Sequence, residues 1–348
     1  MKHTLILFGT FILIAFMQTN CGQKETQNDK IESQDDKATA IDLSSKCGPN
    51  SILISAKKSQ GEGEQSSDHD LFSNQSEDMY QDSDIINGEL AYYINTTDNP
   101  APLSTVAVIF SNGKNESICS GVMIEESLLI TAAHCFLNGI PKKVIFGNSI
   151  YSPRDIIPVA RACSHSDFDY KKVKNANPLF DIAWVELPSK APRYIQPVKI
   201  LQKPSQVNQE SRTIIAGYGA TSETENFTYG IGYLRTAESK IGNVSQEKIK
   251  KFNETYGDNS FANFMVVLSQ TVPPRAACRG DSGGPAYILK DNIWVLVAIT
   301  QGAHNLLTPK LNNPAIPATC ESGEAIYTSV GNYIPWIQET SGKKLDLL

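Results

Sequence analysis

From residue 85 onward the chain is a succession of short apolar runs separated by turn-forming residues, and this limits the fold more than any other feature. Residues 105–110, 121–124, 127–131, 143–146, 181–187, 212–217, 264–268 and 293–299 are rich in Val, Ile, Leu, Phe, Thr or Trp. Gly, Asn, Asp, Ser or Pro stand between them. Runs this short suit strands better than helices, and their β-branched residues fit a pleated surface. Many such runs at close spacing read as an all-β sandwich or barrel. No internal repeat is visible.

The first 84 residues differ in texture. Lys2 and His3 precede an apolar stretch over residues 5–17, too short to span a bilayer, so residues 1–20 read as an export signal. Two outcomes fit its end. Cleavage falls near Thr19 or Asn20, or Cys21 carries the lipid of a bacterial lipoprotein, although Gln18-Thr19-Asn20 departs from the small-residue pattern of such sites. Residues 21–84 hold 6 Lys/Arg against 14 Asp/Glu, whereas residues 85–348 hold 24 against 23. The front segment is too polar to offset its ordering entropy, and is expected to be a largely disordered propeptide or tether. The near-neutral remainder shows no basic stripe, so nucleic acid is not an expected partner. The organisation read from this is a signal (1–20), an acidic segment (21–84), a folded domain (85–340) and a short tail (341–348). The chain is expected to be exported to the medium or the cell envelope, with membrane attachment only in the outcome where Cys21 carries a lipid.

Three short motifs carry chemistry. Gly280-Asp281-Ser282-Gly283-Gly284-Pro285 presents a serine between glycines, where the backbone can turn tightly and a substrate carbonyl can approach amide N–H groups. A serine hydroxyl attacks only when a base takes its proton. Thr131-Ala132-Ala133-His134-Cys135 supplies a histidine, and Asp181-Ile182-Ala183-Trp184-Val185 supplies an acid to orient it. His165 lies in a polar run and reads as an exposed loop residue, and His304 has no flanking motif.

At these three motifs the chain resembles the trypsin/chymotrypsin family of serine endopeptidases. The order His134, Asp181, Ser282 is that family's, while subtilisins and α/β-hydrolases use others. The resemblance covers residues 85–340. It implies two six-stranded antiparallel barrels with the active site in the cleft between them. His134 and Asp181 would come from the first barrel and Ser282 from the second. Residues 333–338 are similar to the family's closing helix.

The resemblance further implies that the Gly280 and Ser282 amides form the oxyanion hole. Cys119 would bridge to Cys135 and Cys278 to Cys320. Of the seven cysteines, Cys47 and Cys163 remain once Cys21 is set aside, and a bond between them would tether the front segment. Ile85-Ile86-Asn87-Gly88 is similar to the start of the family's mature domain, so cleavage before Ile85 would free an amine to pair with Asp281. The family commonly has Lys or Arg before that bond. Here it is Asp84, which calls for an activating protease of acidic or broad specificity.

The pocket positions implied by the family are Ala276, Ala277, Thr300, Gln301, Gly302 and Ala325. An uncharged floor at Ala276 cannot compensate a buried cation, so uncharged side chains of small to medium size are expected. Residues 303–319 form an apparent insertion beside this pocket. The expected activity is that of a secreted zymogen of a serine endopeptidase, monomeric, acting on protein or peptide without metal or cofactor. A protease-like binding protein, or a zymogen never activated as a protease, is the alternative; an esterase would use the same triad.

Overall fold

The computed structural model describes residues 45–53, 89–90, 98–168, 179–208, 211–223, 228–269, 276–303 and 324–348. Seven strands make a first sheet: β1 (Thr105–Ser111), β2 (Glu116–Glu125), β3 (Leu128–Thr131), β4 (Ile140–Phe146), β5 (Asp155–Pro158), β6 (Arg161–Ser164) and β7 (Ala183–Glu186). Their spatial order is β5-β4-β1-β2-β3-β7-β6, antiparallel throughout, and the sheet is left open as a half-barrel. Six further strands are β8 (Thr213–Gly217), β9 (Arg235–Ile241), β10 (Phe264–Ser269), β11 (Pro285–Lys290), β12 (Ile293–Ala303) and β13 (Glu324–Ser329). They close into a ring, β8-β11-β12-β13-β10-β9 and back to β8, which leaves no free edge within it. The two-barrel, all-β architecture is the one expected.

Side-chain alternation explains why the strands read as continuous apolar runs. In β1, Val106, Val108 and Phe110 point into the first barrel with Met123, Phe136 and Phe146. Ala107 and Ile109 point the other way, into a cluster shared with Ile130, Trp184, Ile214 and Tyr287, which comes from both sheets. β3 and β7 divide likewise, Leu129 and Val185 inward, Ile130 and Trp184 toward the other barrel. A strand buried on both faces loses its polar alternate positions. The ring has its own interior, with Ile215, Met265, Ile288, Val297 and Tyr327.

All eight predicted runs lie on strands. β5, β6, β9, β11 and β13 were not predicted, and for β9 and β5 composition shows why. β9 reads Arg-Thr-Ala-Glu-Ser-Lys-Ile, and β5 is mostly exposed. A helix over Gln246–Tyr256 also went unseen; Ser245 caps it by accepting from Lys248 N, and Phe252 is its buried contact. The closing helix runs Ile334–Ser341, buries Ile334 and Ile337, and receives the Trp184 indole N–H at Thr340 Oγ1, 2.8 Å.

Two parts of the chain outside the expected domain belong to the fold. Residues 45–53, assigned by composition to a largely disordered stretch, lie along β6 and are joined to it by a Cys47–Cys163 disulfide. The last residues do not form a loose tail: Leu345 is buried, and Leu348 N donates to Ile200 O at 2.9 Å. The signal, Cys21, Asp84, Ile85, Cys320 and residues 304–319 lie outside the described residues. No helix among the described residues is long and apolar enough to cross a membrane.

Candidate active site

Strand pairing brings the histidine to the acid. β3 and β7 pair with Thr131 opposite Ala183, so the chain just after β3 and just before β7 leaves the sheet at the same end. The first carries His134 on a short 3-10 turn, Ala133–Asn138, and the second carries Asp181. Asp181 is 1% exposed and grips the histidine twice. Its Oδ1 accepts from the His134 backbone N–H at 2.8 Å, and its Oδ2 is 2.7 Å from His134 Nδ1. With Nδ1 held as the donor, Nε2 keeps its lone pair and can act as a base. Burial pushes the His134 pKa down, but the Asp181 charge and hydrogen bond outweigh this and hold it above the usual imidazole value. A Cys119–Cys135 disulfide ties the turn to β2.

Ser282 sits on the turn that enters β11. Gly280 (φ 96°) and Gly283 (φ 80°) both adopt the left-handed region, which costs any other residue side-chain clashes. Ser120 of β2 docks this turn onto the first sheet. Its N–H donates to Ser282 O at 2.9 Å, and its hydroxyl donates to Gly280 O at 2.8 Å. The same Oγ accepts from Tyr218 N at 2.9 Å. Ser282 and His134 therefore line one cleft of about 570 Å³, with Gly280, Arg279, Ile118 and Ile231 also in its walls. The Gly280 and Ser282 amides make no hydrogen bond within the protein among the described residues.

Asp281, next to the serine, is buried and points the other way. Its Oδ1 accepts from Gly219 N and its Oδ2 from Cys278 N, both at 2.8 Å. Burial lifts its pKa from 3.8 to about 6; the two hydrogen bonds and the charge of Arg235 oppose the rise. Sequence reasoning missed three supports of this group. A Cβ on Gly217 would lie 2.1 Å from Asp281 Oδ1, and one on Gly219 would lie 2.4 Å from Asp281 Cγ, so both positions must be glycine. The spacing Gly217-Tyr218-Gly219 was the available signal. Arg235, 4% exposed, donates through Nη1 to the carbonyls of Gly230 and Tyr233, and sits 3.5 Å from Gly219 O. Nothing in its sequence neighbourhood marks it.

The positions that the resemblance assigned to a substrate pocket lie as follows. Ala276 and Ala277 are buried, and Ala277 and Ala325 share a cluster with Tyr327. Thr300 is buried, and its N–H and hydroxyl both donate to Gly284 O. Gln301 and Gly302 follow on β12, at a shift of register against β13, and a Cβ on Gly302 would meet nothing within 4 Å. Cys278 is held in a disulfide, while its expected partner Cys320 lies outside the described residues.

His165 corrects an expectation. It is 8% exposed and stacks between Phe180 (4.8 Å) and Trp336 (4.7 Å), and burial lowers its pKa. Cys119, His134 and Cys135 offer ligand atoms within 4.8 Å of one another, but the two sulfurs are joined and cannot serve as thiolate ligands.

The model of the Trypsin family matches residues 94–337. Urokinase-type plasminogen activator of Gallus gallus is 28% identical over 252 residues, which is 67% of this chain and 53% of that protein. Vitamin K-dependent protein C of Rattus norvegicus is 25% identical, covering 75% and 52%. The chain thus spans about half the length of these relatives. The solved structure of HL collagenase superposes with a TM-score of 0.53 at 20% identity, over 74% of this chain and 99% of that one, a likeness of fold.

Proposed function

The chain belongs to the trypsin family, and on that premise we propose that it is an exported serine endopeptidase made as a zymogen. The observation that carries the proposal is the two-point grip of buried Asp181 on His134, on the same cleft as Ser282. In this reading His134 Nε2 takes the proton of Ser282 Oγ as the hydroxyl attacks the peptide carbonyl. Asp181 stabilises the imidazolium that forms, and the amides of Gly280 and Ser282 receive the developing oxyanion. The imidazolium then protonates the leaving amine. Water, deprotonated by the same histidine, releases the acyl group from Ser282. The Ser282 to His134 hydrogen bond tightens when substrate excludes water, as is usual for such pairs.

Specificity and activation belong to the same proposal. Ala276, Ala277, Gly302 and Ala325 offer no charge, so the acyl side takes uncharged side chains. The cleft beside the Cys119–Cys135 disulfide excludes these residues. It therefore receives the leaving-group side of a polypeptide, against Ile109, Ile118, Ile150 and Ile231. Cleavage after Asp84 by a second protease frees the Ile85 amine. That amine gives buried Asp281 the counter-charge that desolvation demands, and orders the Gly280 turn. The Cys47–Cys163 bond keeps the front segment attached after the cut.

The test is intact mass after exposure to a fluorophosphonate probe, using protein with a free Ile85 N-terminus and its Ser282→Ala counterpart. One adduct on the first and none on the second is expected. No adduct on either would hand the lead to a protease-like binding protein.

A further inference from the structure

Residues 45–53 precede the domain suggested by the sequence, yet they are built into it. β6 is the terminal strand of the first sheet. The front segment covers its edge: Gly48 N donates to Ser164 O at 2.8 Å, and Ile52 and Ala162 exchange both backbone bonds at 2.7 and 2.8 Å. The Cys47–Cys163 disulfide fastens one end. Trp336 of the closing helix donates its indole N–H to Lys46 O at 3.1 Å, and Lys46 pairs with Glu339. Ile52 packs against the cluster that contains Ala133, Cys135 and Phe136.

Between its two bridges to the β6 strand region the segment bulges at Asn50, which takes the left-handed conformation (φ 61°). The bulge aims its side chain away from β6 and toward the His134 turn. Asn50 Nδ2 donates to Phe136 O at 2.7 Å. Phe136 is fully buried and lies two residues after His134 on the same turn. The turn is thus held at three points: Asp181 on the His134 N–H, the disulfide on Cys135, and Asn50 on the Phe136 carbonyl. Of these, only the disulfide was implied by the family resemblance. The third comes from a segment that composition had placed outside the folded domain.

We propose that residues 45–53 are a positioning strap for the candidate base, with Asn50 fixing the turn that presents His134 to Ser282 and Asp181. This rests on the catalytic reading of His134. It makes the front segment a permanent part of the catalytic unit. Asn50 touches no substrate; it acts through the turn, and its loss degrades the alignment of Nε2 rather than the affinity of the cleft.

Two variants separate the donor from the backbone. Asn50→Asp keeps the shape and the tolerance for left-handed φ but removes the N–H donor. Asn50→Gly keeps the backbone conformation with no side chain. Both are examined in disulfide-intact protein with a free Ile85 N-terminus, with kcat counted per titrated active site. One neutral hydrogen bond lost corresponds to a fall in kcat of about three- to ten-fold. KM is expected to stay unchanged. Alongside, the His134 ring is titrated by NMR in the Ser282→Ala background, where both variants lower the midpoint by loosening the Asp181 contact. An unchanged kcat with an unchanged His134 midpoint, even with a lower melting temperature, would reduce the strap to a stabilising edge strand and overturn the proposal. If the parent shows no Ser282-dependent hydrolysis while the midpoint still shifts, the peptidase reading fails and the strap stands.

Discussion

Asp281 makes a quantitative prediction about the uncleaved chain. Burial raises its pKa from 3.8 to about 6, so the folded protein binds a proton there more tightly than the unfolded chain does. A raised folded-state pKa gives stability that is fully present below about pH 4 and is lost as pH climbs through about 6. A shift of about two units corresponds to about 3 kcal/mol, a sizeable part of the 5–15 kcal/mol typical of a folded domain. Urea unfolding of the uncleaved protein and of its Asp281→Asn variant, at intervals from pH 4.5 to 7.5, reads this out. Asparagine faces two donors, Gly219 N and Cys278 N, with one acceptor, so the variant loses a hydrogen bond at every pH. That offset is constant, about 1–3 kcal/mol. The prediction therefore lies in the slope. Relative to the variant, the parent loses most of its 3 kcal/mol on going from pH 4.5 to 7.5.

Freeing Ile85 reverses the sign. An ammonium paired with Asp281 lowers its folded pKa, and a depressed carboxylate gives stability that is present at neutral pH and lost on acidification. In protein beginning at Ile85 the parent then gains on the variant as pH rises. Parallel pH profiles for parent and variant in the uncleaved chain would refute the desolvation argument. The same downward slope before and after cleavage would refute the pairing of the new amine with Asp281.

Three further outcomes are expected. kcat/KM rises with a midpoint above 6.5, because the charge of Asp181 keeps His134 protonated to higher pH. Asp181→Asn moves that midpoint down, leaving burial unopposed, and cuts kcat by roughly 10⁴-fold; a pH-rate profile that does not move would remove Asp181 from the mechanism. Chromogenic peptides ending in Ala, Val, Leu or Phe are cleaved in preference to those ending in Lys or Arg, and Ala276→Asp narrows or inverts the preference; a parent that favours Lys or Arg contradicts the uncharged floor. Cys163→Ser releases the front piece from the enzyme once the chain is cut before Ile85, seen as two species on a denaturing gel without reductant. Opening a link across 116 residues also costs about 5 kcal/mol, so a melting temperature equal to the parent's would count against the bond's structural weight.

Burial on both faces is what made several strands legible in the sequence. β1 sends Val106 and Val108 into one core and Ala107 and Ile109 into another, so no polar residue interrupts it. Two of the strands that escaped, β9 and β5, have a reason to be polar. β9 places Arg235 under Gly219 and leaves Glu238 outside, where it pairs with Arg212. β5 is the outermost strand of its sheet and mostly exposed. His165 escaped for the opposite reason. Its polar neighbours in sequence say nothing of Phe180 and Trp336, which arrive from 15 and 171 residues away to bury it.

The candidate site divides along the same line. A nucleophile, a base and an orienting acid are each restricted to one or two residue types by what their chemistry requires, so His134, Asp181 and Ser282 stand out wherever they lie. The residues that hold them need only the right atom in the right place. Ser120 supplies a hydroxyl and an amide, Asn50 a side-chain N–H, Gly217 and Gly219 the absence of a Cβ. Serine, asparagine and glycine are common at turns and strand ends for many other reasons, so their sequence context carries no mark of this use. What selects them is the position of Asp281 and of the Phe136 carbonyl, and both positions exist only after β2, β3 and β7 have paired in one sheet and β8 has joined the other. The chemistry of this site is thus written locally in the chain, while its alignment is a property of the packed barrels and of a strap that lies far outside the catalytic motifs.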